Sequence, residues 1–127
     1  MSTKGLWTCA TSHWSAPAEL YESLDMEFGF TLDPCPLGAI SGGLDLDWTG
    51  VVYVNPPYGR DVGKWVRKGW ESSQLGAIVV MLLPSRTDTR WFHDYCVKGE
   101  IRFLKGRLRF GDATNSAPFP SMIVVFR

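Results

Sequence analysis

Apolar and polar positions change period several times along the chain, and each change marks an element. In residues 17–28, "PAELYESLDMEF", Leu20, Tyr21, Leu24 and Phe28 recur at helical spacing, and Pro17 suits a first turn. "FTLD" (30–33) reads as a short strand cut off by Pro34, and residues 36–50 hold no sustained period and predict a loop. "VVYV" (51–54) is an apolar, β-branched strand of the kind covered on both faces. From about Asp61 to Gln74 the period returns to helical, with Val62, Trp65, Val66, Gly69 and Trp70 as the buried stripe. "AIVVMLL" (77–83) is the clearest central strand and ends at Pro84. "TDTRWFHDYCVK" (87–98) predicts a helix capped by Thr87 or Asp88 that buries Trp91, Phe92, Tyr95 and Cys96. "IRFL", "RLRF" and "SMIVVF" close the chain as strands.

Strands that alternate with helices, then strands together, predict an α/β fold with a mainly parallel sheet and an antiparallel C-terminal strand. If the strand ending near Phe110 runs parallel to the others, the loop 111–120 falls beside Asn55. A hairpin around Lys105-Gly106 would remove that placement. The first arrangement is preferred.

Composition narrows the class. A chain of 127 residues, 45% hydrophobic with six tryptophans, predicts one compact domain over 1–127, with residues 1–12 expected to be flexible. No apolar run approaches a membrane span, and no basic segment followed by an apolar stretch marks a secretion signal. Three widely spaced cysteines without a C-x-x-C pair predict reduced thiols and a cytoplasmic location. His13 and His93 lack partners at metal-ligand spacing, so no metal is expected.

The net charge is zero, yet residues 1–50 carry one lysine against seven acids. Residues 51–127 carry twelve basic residues against six acids. A basic C-terminal half can follow a phosphate backbone; chance asymmetry on a solvated surface gives the same count.

The chemistry concentrates in "VVYVNPPYG". Two prolines cannot continue a sheet, because neither donates an amide hydrogen, so the chain leaves the strand in a stiff turn. Asn55 and Tyr58 are thereby held at the strand's carboxyl end, the edge where open α/β sheets bind ligands. The Asn55 side-chain carbonyl and the Pro56 backbone carbonyl are two acceptors aimed at one point. They suit the two N–H donors of an amino group on a planar base, and gripping both frees the nitrogen lone pair for attack. Tyr58 offers a face on which an extruded base can stack. A purely structural turn remains the rival at this level.

Four blocks widen the match. "HWSAPAELYESLDMEFGFTLDPCP", "NPPYG", "VVMLLPSRTDTRWFHDYC" and "EIRFLKGRLRFGDATNSAPFPSMIVVF" together resemble, in order, the phage-type (Dam-like) DNA N6-adenine methyltransferases. The resemblance implies a minimal class I (Rossmann-like) methyltransferase domain that uses S-adenosylmethionine. Asn55, Pro56, Pro57 and Tyr58 would form its catalytic motif. Pro17, in a segment that lines the methionine part of the cofactor, would follow Ala16 where the family usually has threonine. Asp33 and Pro34 would form the acid-proline turn that meets the cofactor's ammonium, without the usual second glycine. Asp45 or Asp47 would reach the ribose hydroxyls or the adenine, with Trp48 beside it. Too few residues separate Asp33 from Asn55 for the two βα units a full methyltransferase places there.

Arg86 and Arg90 are candidates for phosphate binding, or for helix-surface ion pairs with Asp88 and Asp94. Arg102, Lys105, Arg107 and Arg109 form an alternating basic stripe readable as a phosphate track. Asn115, Ser116 and Phe119 are candidates for the target-base pocket.

The resulting expectation is methyl transfer to the adenine 6-amino group in double-stranded DNA, in the cytoplasm of a bacterial host. Methylation of another planar amine, cytosine's 4-amino group or a glutamine, suits the same turn. The rival from another class is a degenerate, non-catalytic DNA-binding module. A chain this short predicts an under-covered sheet edge or cofactor cleft, and hence a homodimer.

Overall fold

The computed structural model describes residues 17–36, 42–108 and 119–127. Residues 1–12, Arg109, Asn115 and Ser116 therefore lie outside the described residues. Four strands form one sheet: β1 (Val51–Val54), β2 (Ile78–Pro84), β3 (Glu100–Phe103) and β4 (Ser121–Phe126), in the order β1-β2-β4-β3. β1 and β2 are parallel, with Val52 opposite Val79 and Val54 opposite Met81. β4 is antiparallel to β2 and to β3. Three strands thus run one way, and the last runs against them.

The expectation of a mainly parallel sheet needs correction. β4 takes an interior place, so two of the three ladders are antiparallel. Its sequence explains the placement: every residue of "SMIVVF" is buried, as is nearly all of β2. Strands apolar on both faces belong at the centre of a sheet.

Alternating residues then build two apolar layers. Val52, Val54, Met81 and Phe126 face α2 (Val62–Gln74), which answers with Val62, Trp65, Val66 and Gly69. At Gly69 a methyl group would stand 2.8 Å from the Met81 sulfur, so glycine permits the close approach. Ser72, not Trp70, completes the buried stripe; Trp70 is half-buried against Tyr95 with its ring 5.6 Å away. On the other face Tyr53, Val80, Leu82 and Ile123 receive α1 (Ala18–Phe28) through Leu24 and the half-buried Leu20 and Tyr21.

α3 (Arg90–Asp94) is shorter than the periodicity suggested. Thr89, not Thr87 or Asp88, caps it, accepting from the Phe92 amide at 3.3 Å. A three-ten turn over Cys96–Lys98 then replaces the last helical turn. Cys35 and Cys96 are both buried, and burial pushes the Cys96 thiol up to about 12.

β3 begins one residue early, and no strand forms at Arg107-Leu108, so the proposed second strand there is absent from these residues. No hairpin around Lys105-Gly106 is seen among the described residues. β3 runs parallel to β1, so the chain after it leaves at β1's carboxyl edge and returns there at Phe119.

The short strand expected at 30–33 is a single parallel bridge, Leu32 to Val52. Thr31 and Leu32 both donate to the Val51 carbonyl, and Tyr53 donates back to Leu32. Adjacent parallel segments need a crossover, because each must start from the same edge. The described parts of that crossover, residues 34–36 and 42–50, lie as a strap over the α2 face. Within it, Trp48 is buried against Trp65 (5.8 Å between rings) and its indole N–H donates to the Gly43 carbonyl at 2.8 Å.

Both sheet edges are guarded. Thr31-Leu32 covers the outer side of β1. At β3, Arg102 donates to both carboxylate oxygens of Glu27 at 2.7 Å and to Glu100 at 2.6 Å, tying α1 to the sheet. These hydrogen bonds hold both glutamates below the ordinary carboxylate range. Charged residues on an edge strand discourage pairing with another sheet. An open sheet edge therefore gives no support to a homodimer among the described residues. No helix among them is long and apolar enough to cross a membrane.

The strap depends on Gly43, where a methyl would collide with the Pro34 carbonyl and the Trp65 ring. Gly43→Ala should cost about 1–3 kcal/mol in urea unfolding, the usual range for overpacking. An unchanged midpoint would show that the strap is not packed this tightly.

Candidate active site

Asn55 leaves the sheet immediately after Val54, which pairs with Met81. It is 3% exposed, and Pro56 after it is also buried. A buried amide between an apolar strand and two prolines can be neither a solvated cap nor a free loop residue. Tyr58 turns back toward the sheet. Its hydroxyl reaches the Leu82 carbonyl at 3.5 Å, the outer limit of a hydrogen bond, and its ring meets Phe119 edge-on at 5.1 Å. Burial raises the Tyr58 hydroxyl far above its usual range, with Tyr53 adding to it, so Tyr58 stays neutral.

Tyr58 and Phe119 line a pocket of about 270 Å³ that continues over Gly59, Val62, Pro84, Arg86, Thr89 and Trp91. The Arg86 guanidinium sits 5.9 Å from the Phe119 ring. Aromatic walls with one cation at the rim suit a flat, polar ring.

Asp33 reaches the same edge through the Leu32–Val52 bridge. It accepts from the Cys35 amide at 3.0 Å, yet burial outweighs that bond and raises its carboxyl to about 6. Tyr53, two residues before Asn55, is 4% exposed, and its hydroxyl is buried with no hydrogen-bond partner among the described residues. Burial raises its pKa, and the negative charge of Asp33 contributes. Tyr21 stands edge-on to Tyr53 at 4.9 Å and is raised by burial and by Asp25 and Asp33. The carboxylate is thus short of positive neighbours and hydrogen-bond donors. A cation that carries N–H donors fits beside it.

Pro17 belongs to this end as well. The far end of α1 meets the amino edge, where Phe28 lies under Arg102 and Arg127. Eleven helical residues span about 16 Å, which carries Pro17 to the carboxyl side. It takes the N-cap position there, one residue before the helix.

The sequence-based set separates at this point. Asn55, Pro56, Pro57, Tyr58, Asp33, Pro34, Pro17, Arg86 and Phe119 gather at one edge. Asp45 is exposed on a three-ten turn whose Gly43 touches Pro34, so it lies near that group. Asp47 does not. It lines a groove of about 540 Å³ with Gly50, Gly76 and Ala77, the residues that lead into β1 and β2 at the opposite edge. Trp48 is likewise spent in the core. The strap runs the length of the sheet within a few residues, and no spacing rule reveals where along it each acid falls.

Arg90 and Arg107 are exposed; Arg90 lines a different groove. Arg102, part of the expected basic stripe, is occupied by Glu27 and Glu100. Sequence reasoning missed Tyr53, Thr89 and Trp91. Tyr53 had a signal: a polar tip in an apolar strand, two residues before Asn55 and so on the same face by alternation.

A family model described as DNA N-6-adenine-methyltransferase (Dam) matches residues 8–127. No curated protein matches the chain significantly.

The raised Asp33 carboxyl makes stability depend on pH. Its folded value of about 6 exceeds the unfolded 3.8, so the folded state holds the extra proton between them. Stability should therefore fall as pH rises through that window and level off above it, by up to about 3 kcal/mol. Asp33→Asn should flatten the fall and raise stability at neutral pH by a similar amount. Urea unfolding across the window measures both; a wild-type profile that is flat there would mean the carboxylate is solvated.

Proposed function

We propose that this chain, which belongs to the DNA N-6-adenine-methyltransferase (Dam) family, transfers a methyl group from S-adenosylmethionine to the adenine 6-amino group in double-stranded DNA. The observation that carries the reading is Asn55, buried at the carboxyl end of β1 and followed by two prolines. We further take the fold as a minimal class I methyltransferase domain, with the 34–50 strap in place of the missing βα units.

The residues present fit the cofactor. Asp33 is a desolvated acid on the binding edge whose ionised form lacks a cation, and the cofactor's ammonium is one. Tyr53 offers a buried hydroxyl with no partner among the described residues. Asp33, Pro34 and Tyr53 would hold the amino-acid end, with Pro17 at the start of α1 and Asp45 on the neighbouring turn. S-adenosylmethionine, when bound, supplies an electrophilic methyl group on a positively charged sulfur.

This chain's own groups act on the amine. The Asn55 side-chain carbonyl and the Pro56 carbonyl accept its two N–H bonds, which turns the nitrogen lone pair out of the ring and toward the methyl. The base must first leave the duplex, because its amino group is otherwise paired. Tyr58 and Phe119 then give it an apolar wall, and Arg86 lies at the rim. After transfer the nitrogen carries a positive charge and releases its proton to water, so no strong base is required.

The same turn would accept cytosine's amine or a glutamine; the family match favours adenine. The desolvated Asp33 favours a working cofactor site over a degenerate DNA-binding module, since an idle buried acid only destabilises.

Asn55→Ala should reduce adenine methylation by about 10²-fold or more, the usual loss for one oriented transition-state contact, with cofactor affinity unchanged. Asn55→Asp should keep part of the activity, since a carboxylate oxygen replaces the amide oxygen. Nucleoside mass spectrometry of the product and calorimetric titration with the cofactor measure the two. Wild-type turnover in the alanine variant would remove Asn55 from the chemistry.

A further inference from the structure

Arg102 is engaged by two glutamates, so that member of the 102–109 stripe is not open to a phosphate. A different row of cations is better placed. Arg60 follows the catalytic turn directly, and Lys64 and Arg67 continue from it down one face of α2. Residues at 60, 64 and 67 repeat at helical spacing, so the row extends about 10 Å from the edge. Arg90 faces it from α3. Together with Trp91 and Tyr95 these four cations line a groove of about 320 Å³.

Trp91 also forms a wall of the 270 Å³ aromatic pocket beside Tyr58 and Phe119. One side chain therefore separates a pocket that suits a flat ring from a channel that suits a chain of anions. We infer that the α2–α3 groove is the path of the DNA backbone on the strand whose base enters the site, with Arg60, Lys64, Arg67 and Arg90 on its phosphates. This rests on the methyltransferase reading and adds the route by which the substrate lies on the protein.

The charges that face the groove support an anionic occupant. Among the described residues no salt bridge reaches Arg60 or Arg90. Lys64 pairs with Asp61 at 3.4 Å, the two side chains being 72% and 55% exposed, and Arg67 pairs with Glu71 at 2.9 Å on an open surface. Such exposed pairs are weak and exchange for phosphate at little cost. Asp94 is the one acid that lines the groove itself. A nucleic-acid strand combines regularly spaced anions with flat rings, and the groove and its neighbouring pocket offer partners for both.

The test is the salt dependence of binding to a short fluorescein-labelled DNA duplex, read by anisotropy with the full chain. Each lost phosphate contact lowers the slope of log affinity against log salt by about 0.9. An Arg60→Ala, Arg90→Ala double variant should therefore bind more weakly at low salt with a slope smaller by about 2. Its cofactor affinity and thermal unfolding should match the wild type. Lys68→Ala makes a like charge change on the same helix, but Lys68 lines the groove at the opposite edge, and it should leave the slope intact. A wild-type slope in the double variant, or an equal loss per charge in Lys68→Ala, would overturn the groove while leaving methylation standing. A wild-type chain that neither binds nor methylates DNA would overturn both.

Discussion

The parallel pairing of β1 with β2, and of Leu32 with Val52 on the other side, decides where every other part must go. Parallel neighbours end at the same edge. Asp33, Asn55 and Ser85 therefore leave the sheet side by side, although 52 positions separate the first from the last. Prolines stand just past two of those ends and within the third, at Pro34, Pro56 and Pro84. Each stiffens the chain where it turns away, so the edge is a row of fixed turns instead of a set of open loops. Asn55 and Tyr58 inherit that rigidity from backbone constraints.

The same pairing imposes a cost that the chain meets economically. A crossover between Asp33 and Val51 must cover an apolar sheet face, and a helix is the usual means. Here two indoles do part of that work. Trp48, from a segment whose described residues form one three-ten turn, packs its indole against Trp65 of α2, and Gly43 lets the strap lie close to Pro34 and Trp65. The strap also brings the Asp33–Cys35 turn against the core, which is what desolvates the Asp33 carboxyl. Compactness and the unusual acid thus share one origin. A longer chain could cover the face with a helix and leave the acid wetter.

What could be read without coordinates followed the local signals. Apolar runs gave β1, β2 and β4, and helical spacing gave α1 and α2 to within a residue or two. The Asn55–Tyr58 turn was visible because two prolines after a β-branched run must end the strand. Long-range choices left no such trace. The bidentate pair of Arg102 with Glu27 joins residues 75 positions apart, and nothing near either residue predicts it. The interior place of β4 depends on competition among strands for burial. Asp45 and Asp47 differ by two positions yet lie toward different edges, because the strap is extended there and travels far per residue.

The uneven charge of the two halves acquires a geometric meaning from this fold. The surplus of cations after residue 50 is not a uniform attractive field, because part of it is used internally. Arg102 and Arg127 are paired at the amino edge with Glu27 and Glu100, one of these acids coming from the acidic first half. Lys68 lies 5.6 Å from the Trp48 ring in the strap. Those cations hold α1 and the strap region to the sheet. Among the described residues, Arg60 and Arg90 enter no salt bridge and, with Arg86 at the Phe119 ring, stand at or near the edge that carries Asn55. Folding therefore sorts a chain of zero net charge into a neutralised end and a basic end, and a polyanion meets its attraction beside the site. Composition alone hides that sorting, since both kinds of arginine count the same.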